Sequence, residues 1–304
     1  MDGQQAHFHL HGLANTEQEV AVSRYTLFEI GSISKPLTAL AALTKIEPGS
    51  WQLEHPISAL VPQAELPGHH YSLTELITHR SGLPRLPANM PITDPGNPYV
   101  GYGRNEIKEA LAKLELNGAD YQYSNFGYGL LGWLLEQSLQ QPFAAIMHES
   151  VFQPLGMYHA AIQNPGSQFD HLASGYSLDG TQVSHWQFDS LAGAGAVVAT
   201  IDDMARMLTH TFATAGQDPR LQQWLTPQAQ TAAAAEMTSG WMVDQSGWLW
   251  HAGQTAGFCS MLVFSPQEQK GVVILTNIAI PVTQQGFALF EQWLAAPSTA
   301  NPAP

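Results

Sequence analysis

Apolar positions in this chain follow two patterns, and the pattern changes along its length. Towards the C-terminus they form short dense runs: 247–254, 257–265 and 270–277 read as three strands, the last two joined by a turn at Pro266-Gln267-Glu268-Gln269. In the middle they recur at helical spacing. Residues 105–115 place Ile107, Leu111 and Leu114 on one face, and helices are predicted near 126–139 and 142–150. Ser72-Leu73-Thr74-Glu75 is a capping box opening a short helix to His79. Thr200 reads as the N-cap of a helix over 201–213, with Asp202 and Asp203 set against its dipole, and a helix near 283–295 closes the chain. The segment 84–104, rich in Pro, Gly and Asn, reads as a long surface loop able to border a cleft. Strand-rich ends around a helical middle predict an α+β fold. Residues 1–46 and 190–304 would form an α/β lobe with an antiparallel sheet, and 47–189 an inserted all-α lobe beside it.

The first helical stretch carries chemistry. Leu37, Leu40, Ala41 and Leu43 supply an apolar face, Pro36 falls in the first turn where its missing N–H does no harm, and Pro48-Gly49 ends the run. Ser32 and Lys35 then stand three residues apart on one face, with the amine near the hydroxyl and the serine in the positive field of the helix N-terminus. A free serine is too weak a nucleophile at neutral pH and needs a base within hydrogen-bond reach, which this spacing supplies. With 20 Ser and 5 Lys in 304 residues, Ser-x-x-Lys arises by chance in about one such chain in three. Its weight therefore comes from its company: Tyr123-Ser124-Asn125 downstream, and His251-Ala252-Gly253 in a strand-like run near the C-terminus. Taken alone, the first of these is a turn before a helix and the second a packed strand histidine.

In that order these triplets resemble the motifs of the serine hydrolases of the class C β-lactamase type, a family of β-lactamases, D-alanyl-D-alanine peptidases, D-aminopeptidases and carboxylesterases. Thr26-Leu27-Phe28-Glu29, the stretch from Leu76 to Pro84, Phe152-Gln153-Pro154-Leu155-Gly156-Met157 and Ile201-Asp202-Asp203-Met204-Ala205 are similar to the family too. The resemblance runs from about residue 8 to about 293 and implies a β-lactamase/transpeptidase-like fold with the active site between its lobes. It implies that Ser32 forms an acyl-enzyme, that Lys35 and Tyr123 move the protons, and that the N–H groups of Ser32 and Gln254 receive the oxyanion. Asn125 would hydrogen-bond the acyl side of the substrate, Gly253 would let the strand approach closely, and His251 would lie near Tyr123 or a substrate carboxylate. No cofactor or metal is called for. The free Lys and Tyr groups titrate near about 10, so both need their surroundings to make them useful at neutral pH, and they would titrate as a pair.

Two departures bear on substrate. Position 251 is His where class C β-lactamases carry Lys, and Leu191-Ala192-Gly193-Ala194-Gly195-Ala196 lacks the tyrosine those enzymes have in that region. Both favour a small-molecule ester, amide or D-peptide substrate; a true class C β-lactamase and a penicillin-binding sensor that acylates without turnover are the alternatives. No Gly-x-Ser-x-Gly elbow is present, which removes the α/β-hydrolase route to a serine nucleophile.

Charge and composition narrow the partners. Twenty-five acidic residues against 11 basic ones give a net charge of −14, which disfavours nucleic acid and anionic membrane surfaces. No apolar run is long enough to span a bilayer. The single Cys259 cannot form an intrachain disulfide and reads as a small buried residue. His7, His9 and His11 share one strand face that reads as solvated, and His69-His70 reads as a polar loop. Asp2-Gly3 signals a hairpin turn, with His7 to His11 as the start of a strand over 7–13. The family has a helix and a strand before this point, so an N-terminal helix and first strand are expected to be missing. No signal peptide is visible at Met1; family members are mostly periplasmic, extracellular or membrane-anchored.

Overall fold

A computed structural model describes residues 1–3, 5–46, 51–61, 66, 69–91, 94–114, 120–230 and 236–295. Strands Leu249–Gln254, Cys259–Ser265 and Lys270–Thr276 form an antiparallel meander, as the C-terminal pattern predicts. Short strands Met242–Val243, Glu236–Met237 and Ala229–Gln230 extend it to a six-stranded sheet. Every residue of Cys259–Ser265 is buried, because both faces of the sheet are covered. Met261 and Val263 pack with Phe290 of the helix Thr283–Ala295. Leu262 and Phe264 belong to the main core, where Phe264 meets Trp241 and also Phe212 of the helix Ile201–Thr214. The two sets alternate with the strand period of two.

A smaller sheet positions the nucleophile. Leu27–Glu29 pairs antiparallel with Val197–Thr200, which in turn pairs with Ala161–Ile162. After Glu29 the chain passes through a 3₁₀ turn, Gly31–Ile33, into the helix Ser34–Leu43. All ten residues of that helix are buried, so its apolar face widens to its whole circumference. It packs against the helices Asn125–Leu139 and Pro219–Leu225, and Trp224 Nε1 donates to the Pro36 carbonyl (2.7 Å).

The predicted helices are present with small shifts. Ser72 caps Leu73–Ile77 through the full capping box, and Thr200 does the same for Ile201–Thr214 with Asp203 as the reciprocal partner. Arg104–Ala112 and Asn125–Leu139 match their patterns, whereas the stretch near 142–150 is an α-helix, Phe143–Met147, that widens into a π-turn at His148–Phe152. The Pro48-Gly49 stop and the Ala-rich 231–235 lie outside the described residues; the first helix ends at Leu43.

Two expectations are corrected. The Asp2-Gly3 turn forms, with reciprocal backbone bonds between Asp2 and Gln5, but His7 to His11 make no strand. The first strand is Leu13–Asn15, which pairs with Val20–Ala21. Alternation over 7–11 finds no ladder to join; the pairing at this end is Met1 and Asp2 against Gly271 and Lys270. His69 is buried rather than part of a polar loop, with Nε2 3.1 Å from the Leu111 carbonyl.

Candidate active site

Ser32 sits in the 3₁₀ turn, and Lys35 is the second residue of the helix that follows, so the three-residue spacing brings them together as expected. Lys35 Nζ lies 3.0 Å from Ser32 Oγ and donates to the Ala194 carbonyl (2.7 Å). It also lies 4.9 Å from the centre of the Tyr123 ring. The lysine is 0% exposed. Burial holds its amine well below the ordinary lysine range, and the positive charge of Arg85 pushes the same way. Both influences favour the neutral amine, the form that can accept a proton from the serine hydroxyl.

Tyr123 is carried by a short extended stretch fixed on both sides. Ser124 caps the helix Asn125–Leu139 by accepting from the Gly127 N–H (2.8 Å), and its hydroxyl donates to the Pro84 carbonyl (2.6 Å). The Ser124 N–H donates to His79 Nδ1 (3.0 Å), and the Gln122 N–H donates to the His79 carbonyl (2.8 Å). The His79 ring lies against Tyr123 with centroids 4.5 Å apart. Buried His79 is held well below the ordinary histidine range, first by burial and then by the charge of Lys35, so it is a neutral acceptor for Ser124. Burial likewise pushes the Tyr123 phenol far up, against the opposing influence of Ser32 and Arg85.

The third wall is the strand Leu249–Gln254, whose end packs against the turn that carries Ser32. Two glycines make that contact possible. A Cβ on Gly31, which has φ +50°, would lie 2.7 Å from the Gln254 nitrogen, and one on Gly253 would lie 2.0 Å from the Ile30 carbonyl oxygen. Gly253 thus serves the fit of strand to turn, and with it the placement of the Gln254 backbone beside Ser32. His251 is 1% exposed, with Nδ1 2.8 Å from the Ala252 carbonyl and its ring 6.2 Å from that of Tyr123. Burial, then the charge of Lys35, lowers it to about 3, so it is a neutral ring.

These walls enclose a cleft of about 680 Å³ that Ser32, Tyr123, Asn125, His251, Gly253 and Gln254 all line. The 84–104 segment does border it, through Tyr99 and Arg85. Tyr99 stacks on Phe188 at 4.5 Å, tilts against Trp186 at 5.1 Å, and accepts from Asn125 Nδ2 (2.7 Å). Cys259 also lines the cleft and is buried, with its thiol raised by desolvation. Sequence reasoning had not singled out His79, Tyr99 or Arg85. His79 and Arg85 lie at or beside the family-like stretch from Leu76 to Pro84, and the left-handed backbone of His79 (φ +59°) gives no local sequence signal.

An antiparallel sheet flanked by helices, with a serine, a buried lysine and a half-buried tyrosine meeting at one cleft, defines a β-lactamase/transpeptidase-like protein. The family model described as Beta-lactamase matches residues 1–295, and the chain belongs to that family of serine hydrolases. It is 27% identical to a protein named Beta-lactamase from Yersinia enterocolitica, over 92% of this chain and 81% of that one. It is 25% identical to Protein flp from Staphylococcus aureus (strain N315), over 88% of this chain, and spans only 56% of that relative's length. Among solved structures, the penicillin binding protein from Bacillus halodurans gives a TM-score of 0.83 at 20% identity, covering 96% of this chain and 94% of that one. The D-alanine carboxypeptidase AmpC from Burkholderia cenocepacia gives 0.77 at 24% identity, covering 93% and 88%. Both identities carry the fold alone.

Proposed function

We propose that this chain hydrolyses a small ester, amide or D-peptide through an acyl-enzyme on Ser32, in the cleft between the α/β lobe (1–46 and 190–304) and the helical lobe (47–189). The observation that carries this reading is the buried Lys35 amine 3.0 Å from Ser32 Oγ. As Oγ attacks the acyl carbonyl, its proton passes to Lys35 Nζ, while the N–H groups of Ser32 and Gln254 take the oxyanion. The tetrahedral intermediate collapses when the leaving group departs with a proton from Tyr123, which Lys35 then restores. Water attacks the ester on Ser32 with the same pair as base, and the proton returns to Oγ as the acid product leaves. The directions in which burial moves the two groups divide the roles between them. Lysine favours its neutral amine and is the base for Ser32, while tyrosine favours its neutral phenol and is the acid for the leaving group.

A neutral His251 gives the strand wall no constant cation for the carboxylate of a β-lactam, which supports ester or peptide substrates over efficient lactam turnover. The test is hydrolysis of p-nitrophenyl acetate and butyrate beside nitrocefin, with wild type and Ser32→Ala. Ester turnover that Ser32→Ala abolishes, with little nitrocefin cleavage, supports the proposal. Rapid nitrocefin cleavage would make the chain a β-lactamase, and full ester activity in Ser32→Ala would remove the mechanism.

A further inference from the structure

In a protein of net charge −14, the described residues that line the cleft include no Asp or Glu and a single arginine, Arg85. Burial drives Lys35 and His251 towards their neutral forms, which leaves Arg85 as the cationic side chain among the described lining residues. Its position is fixed by its own backbone. The Arg85 carbonyl accepts from the N–H groups of Asn125 (3.0 Å) and Phe126 (3.2 Å), capping the helix that begins beside Tyr123. The exposed guanidinium stands 5.2 Å from the centre of the Tyr123 ring and forms no ion pair with any described residue. Next to it the wall turns aromatic at Tyr99, Trp186 and Phe188.

We infer that Arg85 is the specificity cation of this cleft, and that the preferred substrate carries a carboxylate on its acyl side, at the end of an apolar segment lying along Tyr99 and Trp186. The inference rests on the hydrolase reading and sharpens it. The acyl side follows from the backbone bond between Arg85 and Asn125, the residue assigned to that side. A guanidinium at the mouth of the cleft is where a carboxylate gains most, because its planar fork of donors matches a carboxylate and no described lining residue carries an opposing negative charge.

The experiment compares mono-p-nitrophenyl adipate with p-nitrophenyl hexanoate, which share a leaving group and nearly the same length, in wild type, Arg85→Lys and Arg85→Gln. Because Arg85 also acts on Lys35 and Tyr123 through its charge, Arg85→Gln will alter both rates; the ratio of kcat/KM for the anionic over the neutral ester cancels that common effect. The ratio should fall about tenfold or more in Arg85→Gln, with Arg85→Lys between the two, and the wild-type ratio should shrink as salt is raised. An unchanged ratio overturns the inference while leaving the hydrolase reading intact. A second measurement does not depend on turnover: calorimetric titration of monobenzyl adipate into Ser32→Ala and into Ser32→Ala/Arg85→Gln. Tighter binding to the first by a similar factor supports the carboxylate site even if no ester is hydrolysed, and equal binding overturns it.

Discussion

Glu29 should make the stability of this protein fall with rising pH across the neutral range. It ends the strand that leads into the Ser32 turn, is 4% exposed, and one carboxyl oxygen accepts from the Trp186 N–H (2.9 Å) at the edge of the cleft. Burial raises its carboxyl to about 7 from an ordinary 4.5, against the smaller opposing effects of the Thr255 side chain and then of that Trp186 hydrogen bond. The folded chain therefore holds this proton more tightly than the unfolded one. The stability it contributes is full below about pH 4.5, declines as pH rises, and is lost once pH passes about 7. A gap of that size corresponds to about 3 kcal/mol. The perturbation is Glu29→Gln, which keeps an oxygen for the Trp186 N–H and cannot ionise. Urea unfolding, followed by tryptophan fluorescence, would be measured for both proteins at about pH 4.5 and about pH 8.5. The amide carries its own constant cost, so the informative quantity is the difference between variant and wild type at each pH. That difference should move in the variant's favour by about 3 kcal/mol from the lower to the higher pH. A difference that stays flat would refute the reasoning, since it would mean that Glu29 ionises in the folded state as easily as in the unfolded one.

Two further outcomes test the site from other directions. Gly253→Ala would drive a methyl group into the Ile30 carbonyl at 2.0 Å; it should cost about 3 kcal/mol or more, lower Tm by several degrees, and reduce kcat by moving the Gln254 N–H off the oxyanion. Tyr123→Phe should lower kcat by about a hundredfold on an ethyl ester, whose leaving group needs a proton, and much less on a p-nitrophenyl ester, whose leaving group does not; equal losses on both would remove Tyr123 from the acid role.

Much of this was legible in the sequence because the relevant signals are local. The Ser32–Lys35 spacing, the caps at Ser72 and Thr200, and the period-two run from Cys259 to Ser265 are each decided within a few residues, and each is present. What stayed hidden depends on contacts between distant segments. The helix Pro219–Leu225 is too short for a periodic pattern, although Asp218-Pro219 marks its start, and its Trp224 is placed by a bond to Pro36. His69 looks polar until the helix Arg104–Ala112 covers it. Gly253 was expected to let the strand approach substrate closely, and its fit against the Ile30 carbonyl is a second requirement that no local pattern shows. The burial on which the proposed division of proton roles between Lys35 and Tyr123 rests is set by the whole fold and is invisible in a triplet. The strand expected over 7–13 failed because alternation describes a face and says nothing about a partner.

The account stands most directly on the covalent intermediate at Ser32. Rapid acid quenching of the protein with p-nitrophenyl butyrate, followed by intact-mass and peptide mass spectrometry, reads it without assuming a natural substrate. The account predicts a butyryl adduct on the peptide that contains Ser32, formed at the rate of p-nitrophenol release and absent in Ser32→Ala, with Lys35→Arg slowing its formation because guanidinium cannot take the proton. Turnover with no adduct on Ser32, or an adduct that Ser32→Ala retains, would contradict it.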